Sequence, residues 1–189
     1  SGMPIDEYLW FEDAPESSAP ASRGVAAALE QGPDAGWRFL RACREATYLR
    51  RTNLDTEAAV VDLAASVSDL DVEALESSLE SGPELPDVAD ATAVPGVEDA
   101  GGRPSLPTVV VRGAAGERGH SGFADAATLE HVVEAATGTA PDRPSLPVAE
   151  AIERFAAEGW LAPIELSALS GLGYDDAVEA ARDAENVVE

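Results

Sequence analysis

The stretch SLPTVVVRGAAGERGHSGFADAATLEHVVEA, residues 105–135, decides the fold class. At its head, Thr108 to Arg112 is a β-branched run of strand length. GAAGE has turn composition, and RGHSG predicts a second, short strand returning beside the first. ADAATLEHVVEAATG then places Leu129, Val132, Val133 and Ala136 on one side of a helix, with Gly138 as its stop. Pro107 stands directly before the strand. A proline cannot donate to a strand ladder, so it precedes the strand or lies at an edge. Leu106 is held extended by the proline that follows it. Leu106 can therefore offer its backbone as a short edge to an incoming peptide.

The five letters RPSLP occur twice, at 103–107 and at 143–147. The second copy has a local explanation. Pro147 suits the first turn of a helix, where its missing N–H is not needed, and Ser145 or Asp142 is placed to cap.

The rest of the chain reads as mostly helical. The opening MPIDEYLWFEDAPESSAPASRG is irregular, with Leu9, Trp10 and Phe11 as expected anchors. A helix through VAAALEQ stops at Gly32-Pro33. A second, over about residues 35–51, repeats Phe39, Leu40, Cys43 and Thr47 at helical spacing and breaks at Thr52-Asn53. A third starts at a capping candidate, Asp55, and a fourth runs from Asp71 to Gly82. Residues 83–102 form a Pro-, Gly- and Asp-rich connection with at most one short helix. After the linker TAPDRPSLP, the tail predicts three short helices: VAEAIERFAAEGW, IELSALSG and YDDAVEAARDAENVV.

Charge narrows the functions. The 189 residues carry 36 acidic side chains against 12 basic ones, a net charge of −24, and every basic residue is Arg. Screening by concentrated salt relieves such self-repulsion, which points to a salt-rich cytoplasm of the halophilic kind, with an acidic mesophilic protein from a GC-rich gene as the alternative. Nucleic acid is not an expected partner, because binding it rests on neutralising phosphates. The tail has the rhythm of a helix-turn-helix. Its second helix would present Asp175, Asp176, Glu179, Asp183 and Glu185 against Arg182 alone, so it reads as a packing or interaction module. No apolar run approaches the ~20 residues that span a bilayer, and no secretory signal opens the chain.

Chemistry-bearing residues are scarce. The lone Cys43 excludes a disulfide or CxxC pair within this chain and reads as a small core hydrophobe. His120, in a Gly-flanked turn, and His131, on a helix, have no nucleophile at a useful spacing. The pairs Glu12-Asp13 and Asp175-Asp176 read as solvated surface. GAAGERG follows a strand and opens no helix, so it is not a phosphate cradle. No metal, cofactor or catalytic residue is expected in this chain.

Two stretches, MPIDEYLWFEDAPESSAPASRGVAAALEQG at 3–32 and the opening 105–135 segment, resemble DsbA-like, FrnE-type thioredoxin-fold proteins over about residues 1–138. The resemblance implies an α+β, mostly helical fold. Residues 1–100 would be the inserted helical domain and connection, 101–138 a ββα segment of the thioredoxin fold, and 139–189 a small helical tail. The strand–helix–strand unit bearing the CxxC pair is not in this chain and would come from a missing N-terminal segment or a partner chain. Pro107 falls at the family's cis-proline, so Leu106, Pro107 and Thr108 would be the substrate-binding residues. The implied function is protein thiol–disulfide exchange, with this chain the part lacking the redox cysteines, acting on a protein or peptide substrate without a cofactor. Two alternatives stand beside it. One is a non-catalytic protein that binds peptides in the groove. The other is a relative of the kappa-type glutathione transferases and 2-hydroxychromene-2-carboxylate isomerases, which share the helical insertion.

Overall fold

The computed structural model describes residues 4–83, 85, 88–142, 145–155 and 161–184. Arg143 and Pro144 of the second RPSLP copy, the end of the expected helix at 156–160, and Glu185 lie outside the described residues. The chain divides into two compact units, one from residues 1–85 with 145–189 and one from residues 86–144. Helix is the dominant element among the described residues, and the β-structure is one two-stranded sheet plus an isolated bridge, Asp99 to Pro104.

In the first unit, α1 (Leu9–Glu12), α2 (Ala19–Glu30), α3 (Pro33–Leu49), α4 (Glu57–Ala64) and α5 (Val72–Ser81) follow in order. The Gly32-Pro33 pair both stops α2 and starts α3. Gly32 has φ 129°, which an L side chain disfavours, and Pro33 occupies the first turn, where no N–H is required. Phe39 and Val60 are fully buried, with Cys43, Ala46, Leu75 and Leu79 around them. Gly24 on α2 admits this approach: a Cβ there would lie 2.5 Å from Val60 Cγ1 and 2.9 Å from Phe39 Cε1. Arg51, at φ 55°, turns the chain away from α3, and the Thr52 amide closes back on the Ala46 carbonyl.

Three local expectations are corrected. Thr56 and not Asp55 caps α4, its Oγ1 accepting from the Ala59 amide; Asp55 instead accepts from the Glu16 amide. Of the expected anchors only Leu9 is buried, whereas Trp10 and Phe11 are exposed. A four-residue turn of helix puts successive side chains about 100° apart, so one apolar residue faces in and its neighbours face out. The first long helix also starts earlier than its apolar run, at Ala19, with Pro20 in its first turn.

The tail contributes α7 (Val148–Phe155), α8 (Pro163–Ser170) and α9 (Tyr174–Arg182) to the first unit. They share a small core of Val148, Ala151, Ile152, Leu166 and Ala177. Pro147 stands just before α7, and its carbonyl accepts from the Ala151 amide. Ser145 does not cap the helix; its hydroxyl donates to the Ser170 carbonyl while the Leu146 amide donates to Leu169. The second pentapeptide is thus tied to the end of α8.

The second unit holds a 3-10 turn at Val88–Ala93, then β1 (Thr108–Gly113), β2 (Gly116–Ser121) and α6 (Ala126–Thr137). The strands are antiparallel, from Thr108 opposite Ser121 to Gly113 opposite Gly116, so the turn is Ala114-Ala115 and is shorter than GAAGE. Asp125 caps α6 by accepting from the Thr128 amide, and Gly138 ends it at φ 78°. Val132 and Ala136 are the buried positions of α6, with Leu129 and Val133 half-buried.

Candidate protein-binding edge

Leu106, Pro107 and Thr108 stand at the head of β1. The Leu106–Pro107 bond is the cis peptide bond found among the described residues. The Leu106 side chain is 83% exposed. The Pro107 carbonyl accepts from the Gly122 amide at 2.8 Å. Thr108 is held from two sides: its hydroxyl bonds the Ser105 carbonyl and lies 2.9 Å from Ser121 Oγ. The Leu106 side chain therefore projects from a backbone that is fixed on its C-terminal side.

The Pro107–Gly122 bond sets the parity of the hairpin. In an antiparallel pair, residues alternate between those that bond the partner strand and those whose N–H and C=O point away. With Pro107 opposite Gly122 as a bonded pair, Val109, Val111 and Gly113 also bond β2. Thr108, Val110 and Arg112 turn their backbone groups outward. The same parity appears on β2, where the Gly119 amide points away from β1 and donates to the Pro95 carbonyl at 2.8 Å.

The two edges of the sheet differ. That of β2 is covered by the 94–98 segment: Gly119 reaches Pro95, and the Glu98 amide donates to Ser121 Oγ. A Cβ on Gly96 would lie 2.1 Å from the Gly119 carbonyl oxygen, so only glycine permits this approach. The edge of β1 has no backbone partner among the described residues. Beside its head, Phe123 is 89% exposed and Val109 is 40% exposed. The site combines outward backbone groups with apolar side chains, the two requirements for adding a strand.

Phe123 and Val110 were not legible as site residues. The outward role of Val110 depends on register, which a run of three valines does not specify. A large apolar residue in the Gly-rich stretch HSGFAD was the available signal for Phe123.

No thiol chemistry is built here. Cys43 is buried in the first unit, and burial pushes its thiol up to about 12. A nucleophilic cysteine needs the opposite shift. His120 is half-buried with Nε2 3.4 Å from the Phe123 carbonyl, and His131 is exposed. The Asp125 carboxyl lies below its ordinary range, first through the Thr128 side chain, then the Thr128 amide, and least through His120. Glu12-Asp13 and Asp175-Asp176 are exposed. Among the described residues no group of His, Cys, Asp and Glu is arranged to hold a metal ion, and no helix is long and apolar enough to cross a membrane.

Residues 1–84 match the family model described as Thioredoxin, which covers the first of the two stretches singled out above. Two curated relatives are similar over part of the chain. The ClpXP adapter protein SpxH of Halalkalibacterium halodurans is 40% identical over 80 residues, 42% of this chain and 26% of that protein. The ClpXP adapter protein SpxH of Bacillus subtilis is 35% identical over 83 residues, 43% of this chain and 27% of that protein. The matched region thus spans about a quarter of the length of these curated relatives. The chain carries a thioredoxin-like match over residues 1–84, and both relatives are named as ClpXP adapter proteins.

Proposed function

We propose that this chain is a non-catalytic, protein-binding part of a thioredoxin-like adapter, and that it captures an extended protein segment along the β1 edge at Leu106–Thr108. The single observation that carries this reading is the outward edge of β1, which has no backbone partner among the described residues and has exposed Leu106 at its head. Two further findings support it. The relatives are named as adapters, and the lone thiol is buried and held neutral. The segment adds as a strand: its amides and carbonyls pair with Thr108, Val110 and Arg112, and its apolar side chains lie against Leu106 and Phe123. The acidic, Lys-free surface supports a salt-rich cytoplasm as the setting.

The test uses a fluorescent, permanently unfolded protein, reduced and carboxymethylated α-lactalbumin, as the probe. Val110→Pro removes an outward N–H without removing a bond to β2, because proline is tolerated where the N–H faces away from the ladder. Binding by the wild type that drops about tenfold or more in Val110→Pro, and is unchanged in Cys43→Ala, supports the reading. Equal binding by wild type and Val110→Pro overturns it.

A second reading has one observation in its favour. The order Leu-Pro, β1, β2, α6 is the closing order of the DsbA-like fold that the sequence resembles. In that reading the helical unit is the fold's insertion, the same edge presents a substrate disulfide, and cysteines outside these 189 residues do the exchange. A CxxC encoded shortly upstream favours it over the adapter.

A further inference from the structure

The first unit carries a second surface, built from none of the residues of the β1 edge. Four of the ten aromatic residues of the chain, Tyr8, Trp10, Phe11 and Tyr48, are exposed there. The Trp10 and Tyr48 rings stack with centroids 5.6 Å apart. The Asp6 amide donates to the Tyr48 carbonyl at 2.7 Å, and buried Leu9 fixes α1 on the unit. Phe11 is 80% exposed. Aromatic side chains are the ones most enriched at the centres of protein interfaces, so a group of them left in water on an otherwise acidic surface marks a contact site.

The surroundings define the partner. Residues 4–16 hold Asp6, Glu7, Glu12, Asp13 and Glu16 and no basic residue. Around Tyr48 stand Arg44, Glu45, Arg50 and Arg51. Arg50 is paired with Glu45, and Arg51 with Asp6 and Glu12. The rim is therefore net negative. One cation already shows how this surface holds a guanidinium. Arg51 lies 4.8 Å from the Tyr8 ring centroid while its Nε donates to Asp6 at 2.7 Å and its Nη1 to Glu12 at 3.4 Å. A ring face with carboxylates beside it is the arrangement that favours a cation most. Trp10, Phe11 and Tyr48 are likewise exposed, and acidic residues stand within a few positions of each: Glu12 and Asp13 after Trp10 and Phe11, and Glu45 before Tyr48.

We propose that Trp10, Phe11 and Tyr48 form a docking surface for a cationic segment of a partner protein, its Arg or Lys side chains lying on the ring faces against the acidic rim and its apolar side chains on Phe11. The charge selects against acidic partners, and the rings supply the part of the affinity that salt does not screen.

The probe is a synthetic peptide of alternating Arg and Leu, titrated calorimetrically at 0.15 M and 1 M KCl against wild type, Phe11→Ser, the double variant Trp10→Ser with Phe11→Ser, and a control, Glu73→Gln with Glu76→Gln, that removes two exposed charges elsewhere. The expected result is binding weakened about tenfold or more in the double variant and severalfold in Phe11→Ser, a change within about twofold in the control, and no binding of the Glu-for-Arg peptide. Phe11→Ser alters a side chain that is mostly in water, so it remains informative if the double variant does not fold. Equal loss in the control and the Phe11 variant, or no binding by the wild type, overturns the proposal. Concentration-dependent self-association of the wild type that disappears in Phe11→Ser also overturns it, and assigns the surface to a second copy of the chain.

Discussion

Arg41 on α3 and Glu165 on α8 form a two-point ion pair across 124 residues of sequence, Nη1 to Oε1 at 3.0 Å and Nη2 to Oε2 at 3.2 Å. The same Glu165 Oε2 accepts from the Ala162 amide at 2.8 Å, so one carboxylate both anchors α8 to α3 and closes its first turn. A carboxylate near a helix N-terminus is favoured by the free amides there. Glu165, first, and then Glu45 hold the Arg41 guanidinium above its ordinary range.

Arg41→Ala is expected to cost about 1 kcal/mol in dilute buffer, the scale of a partly exposed, two-point pair. Glu165→Gln keeps an acceptor for the Ala162 amide and loses the charge, so it costs less. Both losses shrink as KCl rises, because the charged part is screened. Thermal melts of the three proteins in dilute and molar salt check this. A Glu165→Gln loss equal to that of Arg41→Ala in both salts assigns the contact to packing instead of charge.

Cys43 is expected to be inert as a thiol. With its folded value pushed up to about 12 and an ordinary value of 9.0, the neutral form is favoured in the folded chain. This contribution is fully present below about pH 9 and is lost as pH rises towards 12. Labelling by a thiol reagent at pH 8 proceeds only after denaturation, and an insulin-reduction assay in high salt shows no turnover. Turnover that disappears in Cys43→Ser would falsify the non-catalytic reading.

Sequence alone revealed the helices with strong apolar periods, because burial and 3.6-residue spacing coincide in α3 and α6. It also placed the β1–β2–α6 order, with Pro107 directly before β1. It misread Trp10 and Phe11 as anchors, since an apolar run names residues that can be buried without saying which side of a single helical turn faces in. It could not show that residues 145–182 share a unit with the N-terminal helices. That association includes Arg41–Glu165, a pair with no local pattern in a chain where charged residues are everywhere. The candidate edge was legible at Leu106 from proline chemistry and at Pro107 and Thr108 from the family resemblance, whereas the covered edge of β2 depends on Gly96 and Gly119, whose role appears only once the strands are side by side.

Stability is expected to rise as KCl goes from dilute buffer into the molar range. With net charge −24, the folded state concentrates like charges that the unfolded chain spreads apart, and screening relieves this. Melts in NaCl and KCl should rise together, which separates screening from a specific ion. A melting temperature that is flat or falls with salt removes the salt-rich setting.

Gly24→Ala is expected to destabilise the helical unit by about 1–3 kcal/mol, although alanine is the better helix former. The added Cβ meets Val60 Cγ1 at 2.5 Å and Phe39 Cε1 at 2.9 Å, and both side chains are fully buried with no room to retreat. Pairing Gly24→Ala with Val60→Ala returns part of the loss, because the new methyl occupies the space vacated. Urea titrations of the single and double variants measure the recovery. Additive losses show that the contact across α2 and α4 is not the cause.

Hydrogen exchange should read the parity of the hairpin directly. The amides of Val109 and Val111 donate to β2 and are expected to exchange slowly, while those of Thr108, Val110 and Arg112 face the open edge and exchange fast. The Gly119 amide, although it points away from β1, is held by the Pro95 carbonyl and is expected to be slow. Adding the unfolded-protein probe should slow Val110 and Arg112 and leave Val109 and Val111 unchanged, since only the outward set gains partners. Uniform protection along β1 in the free chain means the edge is already covered, and the strand-capture reading fails. Protection that alternates in the free chain but does not respond to the probe keeps the open edge and rejects the unfolded segment as its occupant.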